Sequence, residues 1–150
     1  MLSLLIIAFC TLLGYIAASK YRSRKNFYSQ FQLFNERYLT ELSYSRRPLP
    51  VVLEEYGNGG DFEKLLKKFS EKRTVECKYG YLTKEERSET GEYLSMLGRG
   101  DSRSQHDFFA SKKGNLAEKK AQSELDAKKR GDLYLKLGLL AGLAFVILIV

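Results

Sequence analysis

Two uncharged stretches, one at each end, constrain this chain more than anything between them. The 25 basic and 18 acidic side chains all lie between Lys20 and Lys136, so the first nineteen residues and the last fourteen carry none. Residues 2–18 read LSLLIIAFCTLLGYIAA. As a helix rising 1.5 Å per residue they extend about 26 Å, close to a hydrocarbon core of about 30 Å. Residues 133–150 are interrupted only by Lys136, whose position near the start of the run lets its ammonium snorkel to the headgroups. Neither run has a polar face, which argues against a buried helix of a soluble core. A cleaved signal peptide is the remaining alternative for the first run. Ala17 and Ser19 mimic a cleavage site, but residues 1–3 put no basic side chain ahead of the apolar stretch. Both runs are therefore read as transmembrane helices.

The flanks predict an orientation. Lys20, Arg22, Arg24 and Lys25 follow the first span, and Lys128, Lys129 and Arg130 precede the second. Basic residues next to spans stay on the cytoplasmic side. Both clusters border the middle of the chain, so one arrangement satisfies both: a cytoplasmic central segment, 19–132, with the two ends facing the other side. The same clusters are suited to lipid headgroups, each basic residue contributing roughly 1 kcal/mol, rather than to nucleic acid. Within the spans, Gly14 and Ala18, and Gly138 and Gly142, recur at four-residue spacing. Such pairs let helices approach closely in lipid, although glycine is also simply common in membrane spans.

Between the spans the pattern predicts helices and no strands. Phe27, Phe31, Phe34, Tyr38 and Leu42 recur along one helical face, uninterrupted by proline over 21–45. Arg47-Pro48-Leu49-Pro50 ends that helix, and Pro50 suits the first turn of a short one through Val51, Val52, Leu53 and Tyr56. The glycine run 57–60 ends the short helix; without a preceding strand or a lysine-serine/threonine ending it is not a phosphate loop. A third helix opens near Asp61, with Phe62, Leu65, Leu66 and Phe69 on one face. The stretch 74–82 is irregular and holds Cys77. Thr83 and Glu86 form a capping box that opens a fourth helix, with Tyr93, Leu94 and Leu97 toward the core and Gly98 as its C-terminal cap. A last helix from Asp101 or Ser102 runs through Phe108, Phe109, Leu116, Ala121 and Leu125 into the second span. The expected fold is all-α: an antiparallel helical bundle over 19–132 between transmembrane helices at 2–18 and 133–150.

The residues offer little chemistry. Two cysteines do not make a disulfide scaffold, and one histidine with no cysteine pair at ligand spacing argues against a structural zinc site. His106 lies in a charged helix start and is read as solvated. Glu54-Glu55 and Glu85-Glu86 read as helix-surface and first-turn charges. Arg99-Gly100-Asp101 spells an adhesion tripeptide but sits in an interhelix turn, where it is taken as chance. The expectation is a protein that is not an enzyme, with no cofactor, metal, nucleic acid or small-molecule substrate. Its work is assembly.

Several segments resemble a known family. Glu41 to Pro50 with Leu53 is similar to the segment through the "T-P-L-P" turn of stage III sporulation protein AB. Leu97-Gly98-Arg99-Gly100-Asp101 through Gln105 is similar to its "L-G-x-S-D…Q" turn, and Tyr134 with 137–150 to its C-terminal anchor. With the first span, the similarity runs in order through nearly the whole chain. Arg47, Gly100 and the glycine-rich 57–60 depart from the pattern. The resemblance implies a component of the secretion-like channel between mother cell and forespore, set in the mother-cell membrane around the forespore. It further implies a cytoplasmic domain like that of the type II secretion platform protein F. The implied partners are a cytoplasmic transport ATPase and other channel membrane proteins, with a homo-oligomer left open. If the long helices stand upright, the docking surface falls on the exposed faces of the third and fourth helices and on the turn Arg46, Arg47, Pro48, Leu49 and Pro50. A small membrane-anchored regulator or sensor unrelated to secretion is the competing reading, and a polar pocket among the helices would favour it.

Overall fold

The structure, a computed structural model, describes residues 1–56 and 59–149. Five α-helices follow one another: α1 Leu2–Thr40, α2 Leu49–Glu54, α3 Asp61–Lys72, α4 Lys84–Met96 and α5 Ser102–Ile149. There is no strand among the described residues. The all-α reading holds. Gly57, Asn58 and Val150, and with them the start of the glycine run predicted to end α2, lie outside the described residues.

Contacts divide the chain into two units, Met1–Lys25 with Ala121–Val150, and Asn26–Lys120. In the first unit, α1 and α5 each carry a stretch long and apolar enough to cross a membrane, with only 11% and 6% of it buried inside the protein. Apolar surface left uncovered on that scale is surface for lipid. Within this unit the two helices run antiparallel: Tyr21 stacks on Tyr134 with ring centroids 5.8 Å apart, Gly14 faces Gly138, and Ile7 faces Gly142.

In the second unit the aromatic row predicted on α1 forms the core. Phe27, Phe31, Phe34 and Tyr38 are all buried, and Leu42 packs half-buried beside them. Together the rings reach α3, α4 and α5. Phe31 stacks on Phe62 of α3 at 4.4 Å and meets Tyr93 of α4 edge-on at 4.6 Å, while Tyr38 meets Phe109 of α5 edge-on at 5.0 Å. Edge-to-face and offset pairs of this kind add about 0.5–1.5 kcal/mol each beyond burial. Tyr38 lies by Phe109, and the Lys119 ammonium lies over the Tyr28 ring, so α1 and α5 are antiparallel here as well.

The helix starts follow their sequence signals, with one shift. Thr83 accepts from the Glu86 N–H at 3.2 Å and Glu86 accepts from the Thr83 N–H at 3.0 Å, completing the capping box. At α3 the capping position belongs to Gly60 and Asp61 is the first helical residue. The Asp61 carboxylate accepts from the Tyr81 hydroxyl at 2.6 Å, and its backbone carbonyl accepts from Tyr79 at 2.9 Å. Asp61 therefore ties the irregular stretch before α4 onto α3. Burial is the main reason both phenols are raised, Tyr79 to about 12. That stretch contributes Leu82 and the free thiol Cys77 to the core. Leu125, placed on the α5 path by its spacing, is 55% exposed, because only a narrow stripe of α5 is covered there.

Candidate functional site: the turn after the first helix

The α-helical spacing of α1 ends at Thr40, and residues Glu41–Ser45 widen into a π-helical turn. The Arg46 N–H closes it on the Glu41 carbonyl at 2.7 Å, five residues back. Arg46 then takes a left-handed backbone, φ +48°, which an L side chain adopts at a cost. Pro48 follows as the cap of α2, and Pro50 falls in its first turn, where the missing N–H leaves no bond unmade. One-turn π insertions are rare and recur at functional sites.

A clamp secures the turn. Arg47 Nε donates to Glu41 Oε2 at 2.9 Å and Nη1 to Glu55 Oε1 at 2.6 Å, while Nη2 also donates to Glu41. One guanidinium thus joins the π turn to the end of α2, and its planar fork suits two carboxylates. Hydrogen bonding to Arg47 holds the Glu41 carboxyl below the usual carboxylate range.

Opposite the clamp, α4 ends and α5 begins. Gly98 has φ +75°, a backbone conformation that favours glycine, and the end of the Leu49 side chain packs over it, its Cδ2 2.8 Å from where a Cβ would stand. The Gln105 N–H reaches the Asp101 carbonyl at 3.1 Å, and Asp101 caps α5, its carboxyl lowered chiefly by the Ser104 hydroxyl. Between these elements lies a groove of about 260 Å³. Its floor is the buried Tyr38, whose hydroxyl donates to Gln105 Oε1 at 2.5 Å; Gln105 Nε2 in turn donates to the Arg99 carbonyl at 3.0 Å. Leu42 and Leu49 line the groove, with Arg46 and Ser102 beside them.

The predicted docking turn is therefore divided. Arg47 is engaged in the clamp, Leu49 packs half-buried against the core and Pro48 caps a helix, while Arg46 remains exposed with no acidic partner among the described residues. Tyr44, which the spacing did not single out, stands 85% exposed on the π turn. A buried polar residue that sequence reasoning missed lies deeper. Asn35, fully buried, donates to the Phe109 carbonyl at 3.1 Å and accepts from the Tyr93 hydroxyl at 2.8 Å, fixing α1 against α4 and α5. Its only sequence signal was an asparagine between Phe34 and Tyr38 on the apolar face.

In the other unit Gly14 and Gly138 face each other across the helix pair, and Gly142 faces Ile7. A Cβ on Gly14 would lie 2.6 Å from the Tyr134 carbonyl oxygen, one on Gly138 2.8 Å from the Cys10 carbonyl, and one on Gly142 3.1 Å from Ile7 Cα. Ala18 is buried. Of the basic flank, Arg24 pairs with Asp126 at 3.5 Å, and Arg130 pairs with the same carboxylate at 3.7 Å while lying over the Tyr21 ring. Lys20, Arg22, Lys25, Lys128 and Lys129 are exposed. In the central unit a cavity of about 50 Å³ lies beside Thr90 and Lys119, and open polar depressions of about 700 and 480 Å³ border His106.

The stage III sporulation protein AB family model matches residues 1–76 and 68–150, which together span the chain. The chain belongs to the stage III sporulation protein AB family. As a family member it has a role in sporulation, and its two long apolar helices associate it with a membrane. No curated protein and no solved structure matches it.

Proposed function

We propose that this family member is a non-enzymatic platform of the secretion-like channel between mother cell and forespore. It would hold its central domain in the mother-cell cytoplasm and couple a transport ATPase to membrane partners. The observation that carries this reading is the division of labour in the chain: the family match spans a helix pair with its apolar surface uncovered and a separate aromatic-cored domain. Basic residues flank both apolar stretches on the side of the central domain, which supports the cytoplasmic assignment. The π turn supports a docking role, because it offers an exposed tyrosine and arginine on a clamped scaffold, the residue types that dominate interface energetics.

The test is binding between the full-length chain in nanodiscs and the purified ATPase of the same sporulation complex. Micromolar or tighter binding, weakened by substitutions on the π turn or on the exposed faces of α3 and α4, is expected. Absence of binding at micromolar concentration contradicts the platform reading.

A further inference from the structure

The groove beside the π turn has a surface chemistry that specifies its occupant. Its polar floor is already satisfied from within, since the Tyr38 hydroxyl bonds to Gln105 and Gln105 bonds to the Arg99 carbonyl. An apolar group entering the groove would strand none of these donors and acceptors, which is the usual penalty for covering polar atoms. Leu42 and Leu49 are only half-buried, so an occupant would complete their burial. About 260 Å³ has room for one large side chain rather than for a whole helix.

The charges around the groove are uneven in a way their number conceals. Glu41 is engaged by Arg47, and Asp101 by its own helix start. Arg46 on the groove and Arg103 in the adjoining depression have no acidic partner among the described residues. Asp107, the remaining carboxylate of that depression, lies 3.8 Å from His106 and does not line the groove. On the groove itself, the charge that stands outside the clamp is that of Arg46.

We infer that the groove formed by Tyr38, Leu42, Leu49, Gly98 and Gln105 receives one large apolar side chain from a protein partner whose neighbouring residues are acidic, with Arg46 and Arg103 pairing those carboxylates. An apolar anchor in a pocket ringed by complementary charge is the arrangement that concentrates binding energy at interfaces. This inference rests on the docking role proposed above and gives that role a specific pocket and a partner chemistry.

The experiment places a photo-reactive amino acid at Ser102, on the groove, and separately at Ser88 on the exposed face of α4. Each full-length variant serves as the sole copy in sporulating cells, and cross-linked peptides are mapped by mass spectrometry. The inference expects Ser102 to capture a protein segment in which a large apolar residue has Asp or Glu within a few positions. Arg46→Glu is expected to cut the yield at least tenfold, and Arg46→Gly, which suits the left-handed backbone and preserves the fold, to reduce it severalfold. Capture of a polar or basic segment, of lipid, or of a second copy overturns the pocket. Capture from Ser88 but none from Ser102 overturns the pocket and leaves the platform reading standing. No protein captured from either position, with the chain present in the membrane, overturns both.

Discussion

The unit formed by Met1–Lys25 and Ala121–Val150 and the unit formed by Asn26–Lys120 hold the same two long helices together by opposite means. In the first, contact depends on what is missing: Gly14 and Gly138 lack the Cβ that would strike the facing backbone. In the second, contact depends on bulk, with Phe31, Tyr93 and Phe109 filling the space between helices. The difference follows from the surroundings. Where lipid covers the outer face, burying a leucine gains little over leaving it in hydrocarbon, so close backbone approach is what remains to favour association. Where water surrounds the unit, apolar burial drives the packing and large rings contribute most.

The sharpest way to break this contrast is to remove bulk from the second unit. Phe109→Ala deletes a fully buried ring packed edge-on against Tyr38 and Tyr93. A loss of about 3–5 kcal/mol is expected in denaturant unfolding of the full chain in micelles, followed by near-ultraviolet circular dichroism. Asn35→Leu keeps the branched outline but removes the amide, leaving the Tyr93 hydroxyl without its partner in the core. About 1–3 kcal/mol is expected in the same measurement. Gly14→Leu adds bulk where bulk is excluded, and should leave that transition nearly unchanged while prising α1 from α5. Spin labels at Cys10 and at Ala144→Cys, with Cys77 replaced by alanine, should report a wider distance by pulsed electron resonance. The smallest effect belongs to the exposed clamp. The Glu41 carboxyl is lowered by Arg47, so the ion pair contributes above the ordinary carboxylate pKa and fades as pH falls through the lowered value. Arg47→Ala should move the Glu41 titration, followed by carboxyl NMR, up toward the ordinary range with little change in melting.

Particular residues show what the sequence could and could not disclose. The two apolar helices were legible because seventeen uncharged residues in a row have few other uses, and the Thr83–Glu86 capping box because it is a local device closed within four residues. The aromatic row on α1 was legible from its period alone. Asn35 and Gln105 were not, since their partners lie 74 and 67 positions away and nothing local marks a polar side chain as buried. Of the predicted turn Arg46 to Pro50, Leu49 and Pro50 belong to α2, and the roles of the members were not readable. Whether an arginine clamps or protrudes depends on a π turn that adds one residue to the helix spacing, and on Glu41 and Glu55 arriving on one side of it.

The orientation of the central unit tests the account most directly. In a chain with Cys10 and Cys77 replaced by alanine, the exposed Ser88 of α4 is changed to cysteine and intact cells are treated with a membrane-impermeant maleimide. The account predicts no labelling until the membrane is opened, and full labelling afterward. Labelling of intact cells would place the aromatic-cored unit on the outer side and contradict it.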